Sequence, residues 1–209
     1  MDTSTPGRTT RDWLVFTRSD YLAAKAILGL AVAGSVLFGL AIPILEAVNN
    51  TPLPVTYRTS LTSGGVDLPR GSTVDGNATV DLLLKDATSG ERLTQALPAI
   101  LVAGLTIAIA WLLFQLIRST QASEPFTRRN VWRINGIALL AGLGGLLVQL
   151  AGGIADNAIQ TSGRLPRPDT LALEMTFTPQ PLVMMITIAL VGEAFRRGVV
   201  LREDVEGLI

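Results

Sequence analysis

Ile134 to Ala155 reads INGIALLAGLGGLLVQLAGGIA, twenty-two residues without a charge. At 1.5 Å per helical residue such a stretch is about 33 Å long, enough to cross a hydrocarbon core of about 30 Å. Arg133 and Asp156 close it at its two ends, and Trp132 stands just before it. Its small residues carry a second message. Ala138 with Gly142, and Ala141 with Gly145, have the four-residue spacing that lets helix backbones approach, which matters where lipid tails give helices no hydrophobic reason to associate. The segment is expected at the centre of a bundle or in the seam of a homo-oligomer. The competing reading is the ordinary glycine content of membrane helices.

Working outward, three further segments have the required length. Ala26–Leu45 is uncharged, as are the twenty-five residues between Arg92 and Arg118. Ser35 and Gly39 repeat the small-residue spacing on the first. It follows a polar arm too long for the n-region of a signal peptide, so it reads as an uncleaved helix. The fourth, Pro181 to Gly198, is uncharged only as far as Gly192; Pro181 suits a first helical position and Gly198 a C-terminal cap. The resulting division is an N-terminal arm (1–20), helix (21–48), loop (49–92), helix (93–118), hinge (119–133), helix (134–155), loop (156–180), helix (181–198) and tail (199–209).

Composition agrees. The 209 residues are 48% hydrophobic and 16% charged, with a mean hydropathy of +0.44, against about 25% charged in soluble domains. There is no Cys and no His. That removes disulfides, thiol nucleophiles, imidazole bases and the usual zinc sites. Seventeen basic residues balance seventeen acidic ones. Residues 1–25, 118–133 and 193–209 together hold eleven basic and eight acidic residues, and 46–92 and 156–174 hold six and nine. By the positive-inside rule both termini and the hinge are cytoplasmic. Trp13, Tyr21, Trp111, Phe114 and Trp132 all fall at the inner interface of that arrangement, as an aromatic belt would.

In the loops, 55–61, 78–85 and 171–177 alternate apolar and polar residues between turn-forming pairs, the pattern of half-buried strands. The expected architecture is therefore membrane all-α: a four-transmembrane-helix bundle, N-in and C-in, with a small antiparallel β cap formed by the two extracytoplasmic loops. The apolar faces of the strands would turn toward the helix ends. Such a cap serves equally as a sensor or as a passive lid. Gln149, polar at membrane depth, is expected to face protein. Glu193 has Arg196 and Arg197 three and four residues on, so an ion-paired structural role outweighs a proton relay.

The hinge reads Ser123-Glu-Pro-Phe-Thr-Arg-Arg-Asn-Val-Trp-Arg-Ile-Asn135. Thr127 is a good N-cap, and Phe126 and Val131 stand where a hydrophobic staple would join them. After Gly198 the tail offers Leu201, Val205 and Leu208 to dock under the bundle. Pro125-Phe126 with Asn130 and Arg133, and Phe195-Arg196-Arg197-Gly198 with Leu201, resemble the signature of a bacterial membrane-protein family, domain of unknown function 2975. The resemblance runs over nearly the whole chain. It implies a multi-pass protein of the bacterial cytoplasmic (inner) membrane, often encoded beside a small helix-turn-helix regulator, and it assigns no activity. Pro125, Phe126 and Gly198 have capping or turn roles that favour the fold. Asn130 and Arg133 share a helical face and could meet either the Glu193 region or a partner.

The function these observations favour is a non-enzymatic sensor or regulatory membrane protein acting with a cytoplasmic helix-turn-helix partner. The alternative is an accessory or immunity-like protein binding a lipid, peptide or transporter. No catalytic, metal or cofactor residues are assigned. The expected partners are the lipid bilayer, the regulator and a second copy through 134–155. Direct nucleic-acid binding is not expected, since the basic residues lie against an anionic membrane surface.

Overall fold

The computed structural model of the chain describes residues 18–59, 78–122, 125–162 and 177–206. Four long helices and one pair of strands account for most of them. Helix α1 runs Arg18–Val48, α2 Ser89–Gln121 and α3 Arg128–Ile159, all three long and apolar enough to cross a membrane. They mark the chain as a membrane protein. Helix α4, Gln180–Glu206, is not among the three, because Glu193, Arg196 and Arg197 interrupt its apolar stretch.

The helices pack in chain order, α1 on α2, α2 on α3 and α3 on α4. Among the described residues α1 has no substantial packing on α4, so the four form a row rather than a closed ring. Helix α3 is the most enclosed: 28% of its most apolar window is buried, against 6% for α1. The small residues explain why. A Cβ on Gly142 would lie 2.6 Å from the Cβ of Met185 in α4, and one on Gly145 2.7 Å from Pro181. Gly144 faces Leu105 of α2. The stripe that suggested a bundle centre thus serves two neighbours at once, and on α1 Gly39 lies against Ala99 and Ala103 of α2.

Two helices widen locally. In α1 a π turn at Leu37–Ala41 precedes Pro43, and Ile42 donates its N–H to the carbonyl of Leu37, five residues back. Proline cannot donate to the carbonyl four residues before it, and a wide turn accommodates the lost bond. Helix α3 has a second π turn at Leu140–Gly144, among its close-packed glycines.

Helix α1 ends in a Schellman motif. Asn50 adopts φ 50°, Thr51 N–H donates to the Glu46 carbonyl at 3.1 Å, and Asn50 N–H to that of Ala47. Arg92 reaches back from α2 to donate to the carbonyls of Glu46 (3.3 Å), Thr51 (2.8 Å) and Ala87 (3.3 Å). Helix α2 begins with a full capping box: Glu91 N–H donates to Thr88 Oγ1, and Thr88 N–H to the Glu91 carboxylate at 2.7 Å. The spacing Thr88-Ser-Gly-Glu91 is the signal for this start, which lies four residues before the first helical residue expected from hydropathy.

Between α1 and α2, strands β1 (Leu53–Thr59) and β2 (Ala78–Leu84) pair antiparallel, Leu53 opposite Leu84 and Thr59 opposite Ala78. Leu53 and Val55 are buried with Ile159 of α3, flanked by Leu82, Leu84 and Ala87. The apolar face does turn toward a helix end. The strand expected at 171–177 lies outside the described residues except for Phe177, which is exposed and in no strand.

Helix α4 does not end at Gly198. It continues without interruption to Glu206, which corrects both the cap and the tail boundary expected there. No Gly or Pro is present within 199–206 to stop it. Leu201 is 65% exposed, so it does not dock under the bundle, whereas Val199 is buried. Leu208 lies outside the described residues.

Candidate functional site at the hinge

Every residue of the two sequence signatures lies near one end of the row, where α2 leaves off, α3 begins and the second half of α4 passes. Thr127 caps α3 as expected, its Oγ1 accepting from Asn130 N–H at 3.3 Å. Phe126 turns its ring onto α4, 5.5 Å from the ring of Phe195 with a 39° tilt. A Cβ at Gly198 would stand 2.7 Å from that ring. The absence of a side chain at Gly198 is what admits Phe126. Two motifs about seventy residues apart in sequence, Pro125-Phe126 and Phe195–Gly198, are therefore halves of one contact.

Asn130 is fully buried. Its Nδ2 donates to Ser119 Oγ (2.8 Å) and to the Pro125 carbonyl (3.0 Å), and its Oδ1 accepts from Arg133 Nη1 at 2.7 Å. Arg133 Nη1 also reaches the Gln115 carbonyl at 3.3 Å. These bonds do not run to the Glu193 region. Asn130 and Arg133 stitch the last turns of α2 to the hinge and the first turns of α3. Burying the Asn130 amide is tolerated because its donor and its acceptor both find partners.

Glu193 accepts from Arg196 Nε at 2.6 Å and Nη2 at 2.8 Å, and from Arg197 Nε at 3.1 Å. The carboxylate is held by its own helix, in keeping with the structural reading. Farther along, Arg128 Nε and Nη2 donate to the two carboxylate oxygens of Glu203 at 3.2 and 3.1 Å. These hydrogen bonds, and secondarily the charge of Arg128, hold Glu203 below the usual carboxylate range. The bridge is thus complete at pH values above that range and is lost as pH falls through the lowered value. Both partners are exposed, so its contribution to stability is small. Lys25, near the start of α1, donates to Gln121 Oε1 at 2.9 Å and stands 5.7 Å over the ring of Phe114.

At the opposite end of α4, Gln149 of α3 makes a reciprocal amide pair with Thr178: Nε2 donates to the Thr178 carbonyl (3.2 Å) and Oε1 accepts from Thr178 N–H (2.9 Å). The polar residue at membrane depth faces protein and holds the segment that leads into α4. Replacing it by leucine removes both bonds. We expect a loss of about 2 kcal/mol at about 1 kcal/mol per bond, measured as a lower unfolding midpoint in detergent. A midpoint equal to wild type would mean that the pair contributes nothing.

Residues 83–209, more than half of the chain, match the family model described as "Protein of unknown function (DUF2975)". The match takes in α2, the hinge, α3 and α4 and leaves α1 and β1 outside, a narrower span than the resemblance read over nearly the whole chain. No curated protein and no solved structure matches.

Proposed function

The chain belongs to the DUF2975 family, and from that premise we propose that it is a regulatory protein of the bacterial inner membrane. In this reading it crosses the bilayer four times with both termini and the hinge in the cytoplasm, and it holds a cytoplasmic helix-turn-helix regulator. Pro181 to Gly198 forms the fourth span, about 27 Å long, with Glu193 neutralised by its two arginines and close enough to the inner end to reach water. The two-stranded sheet lies on the outer side, and the chain carries out no catalysis.

The observation that carries the reading is the run of α4. One unbroken helix is tied at its beginning to Gln149 and at its far end to Phe126 and Arg128. A ligand or mechanical change at the sheet end that shifts α4 has a direct route to the exposed, mixed-charge turn Leu201–Asp204. Transmission of this kind needs two arrangements of an element, biased from both ends.

The test is genetic and biochemical. Tagged full-length protein, solubilised in mild detergent, is expected to retain a helix-turn-helix protein, and deletion of its gene is expected to change transcription from that regulator's targets. Purification without such a partner, together with unchanged transcripts, would overturn the proposal.

A further inference from the structure

Between the end of α2 and the start of α3 lie two adjoining grooves, of about 740 and 690 Å³, which share Gln115, Arg129 and Arg133 in their walls. Arg118 completes the second and Arg128 the first. No Asp or Glu is among the described residues that line either. Arg128 is engaged by Glu203 and Arg133 by Asn130, but the guanidinium groups of Arg118 and Arg129 have neither a hydrogen bond nor an ion pair among the described residues. The start of α3, with its positive end of the helix dipole, opens at Thr127 into the same place. The site is built for an anion.

Its walls identify the anion's carrier. Trp132 is 81% exposed and Trp111 62%, and Trp111 stacks on Phe114 with centroids 6.5 Å apart. Large exposed indoles beside guanidinium groups, where two apolar helices leave off, are the residues of a membrane interface. The first groove runs inward from the arginines past Leu112 and Gly136, so it has a charged mouth and an apolar floor. A soluble phosphate would use only the mouth. A phospholipid uses both.

We propose that these grooves bind the phosphate headgroup of an anionic phospholipid, with Arg118 and Arg129 as its ligands and Trp111 and Trp132 flanking it. The inference is independent of any regulator and needs only that α2 and α3 cross the bilayer.

The experiment uses full-length protein carrying Trp13→Phe, so that only Trp111 and Trp132 report. It is reconstituted into phosphatidylcholine vesicles containing a minor fraction of brominated phosphatidylglycerol. Quenching is expected to exceed that by the same fraction of brominated phosphatidylcholine. This preference should fall about fivefold in Arg129→Gln, and again in the double variant with Arg118→Gln, the effect of about one surface charge each. Lys85→Gln, at the other end of the molecule, should leave it unchanged. Equal quenching by the two lipids, a preference that survives the double variant, or its abolition by excess inorganic phosphate would each overturn the proposal. Absence of quenching by either lipid would instead refute the bilayer crossing itself, so the two failures are distinguishable.

Discussion

Gly39→Ala is expected to destabilise the protein, while Gly34→Ala, five residues earlier in the same helix, is expected to leave it unchanged or slightly more stable. A Cβ at Gly39 would lie 2.8 Å from the backbone oxygen of Ala99 and 2.6 Å from the Cβ of Ala103, whereas at Gly34 nothing lies within 4 Å. Both obstacles at Gly39 belong to α2, and neither can rotate away, since one is main chain and the other is the first side-chain atom. Helix α1 must therefore move bodily. Overpacking of this kind costs about 1–3 kcal/mol, which outweighs the gain of up to about 1 kcal/mol from replacing a helical glycine by alanine. Gly39→Leu should lie at the top of that range or detach α1 altogether. Unfolding midpoints of the three variants in one detergent decide the matter. Identical midpoints for the two alanine variants would mean that α1 and α2 do not approach at Gly39.

The second large effect is expected at Asn130. Leucine has nearly the same shape, but it would leave the Pro125 carbonyl without its donor and take one acceptor from the guanidinium of Arg133. An orphaned buried polar group costs about 1–3 kcal/mol; here the Pro125 carbonyl is orphaned beside a fully buried position and Arg133 is left with the Gln115 carbonyl alone, so a loss of about 2 kcal/mol is expected. Asn130→Asp separates the components. It keeps the acceptor for Arg133 but loses the donor to Ser119 and Pro125, and it sets a carboxylate oxygen beside a carbonyl oxygen. It should fall between wild type and Asn130→Leu. Wild-type stability of Asn130→Leu would show that the network is dispensable.

Hydropathy and alternation are sufficient for the three apolar helices and for the first two strands, expected at 55–61 and 78–85 and found at 53–59 and 78–84, because each signal lies within a single element. They are sufficient, too, for the packing role of Gly142 and Gly145, since small-residue spacing is itself a statement about neighbours. Gly198 reads wrongly as a helix end because glycine serves two purposes, ending helices and admitting close approach, and the sequence around it fits both. Only the ring of Phe126 tells them apart. The destination of Asn130 and Arg133 is hidden for a related reason. Their partners Ser119 and Gln115 lie across the hinge on another helix, and nothing in a hydrogen-bonding side chain names the atom it will find. Arg92 is legible as the boundary of an apolar run but not as the clamp on the end of α1, since its acceptors are carbonyls that every residue carries.

The row of helices also has a consequence in time. Every contact that closes α1 onto α2, from Lys25 with Gln121 through Gly39 with Ala103 to Arg92 with Glu46, lies within the first 121 residues. A ribosome that has delivered α2 has delivered a complete hairpin, whose closure needs no later residue. The strands differ, since Leu53 and Val55 are covered by Ile159, which is made only when α3 is nearly finished. Helices α3 and α4 then form the second hairpin, sealed by Phe126 and Phe195. By its contacts the molecule divides into two successive pairs, and the sheet is the one piece of the first pair whose cover comes from the second.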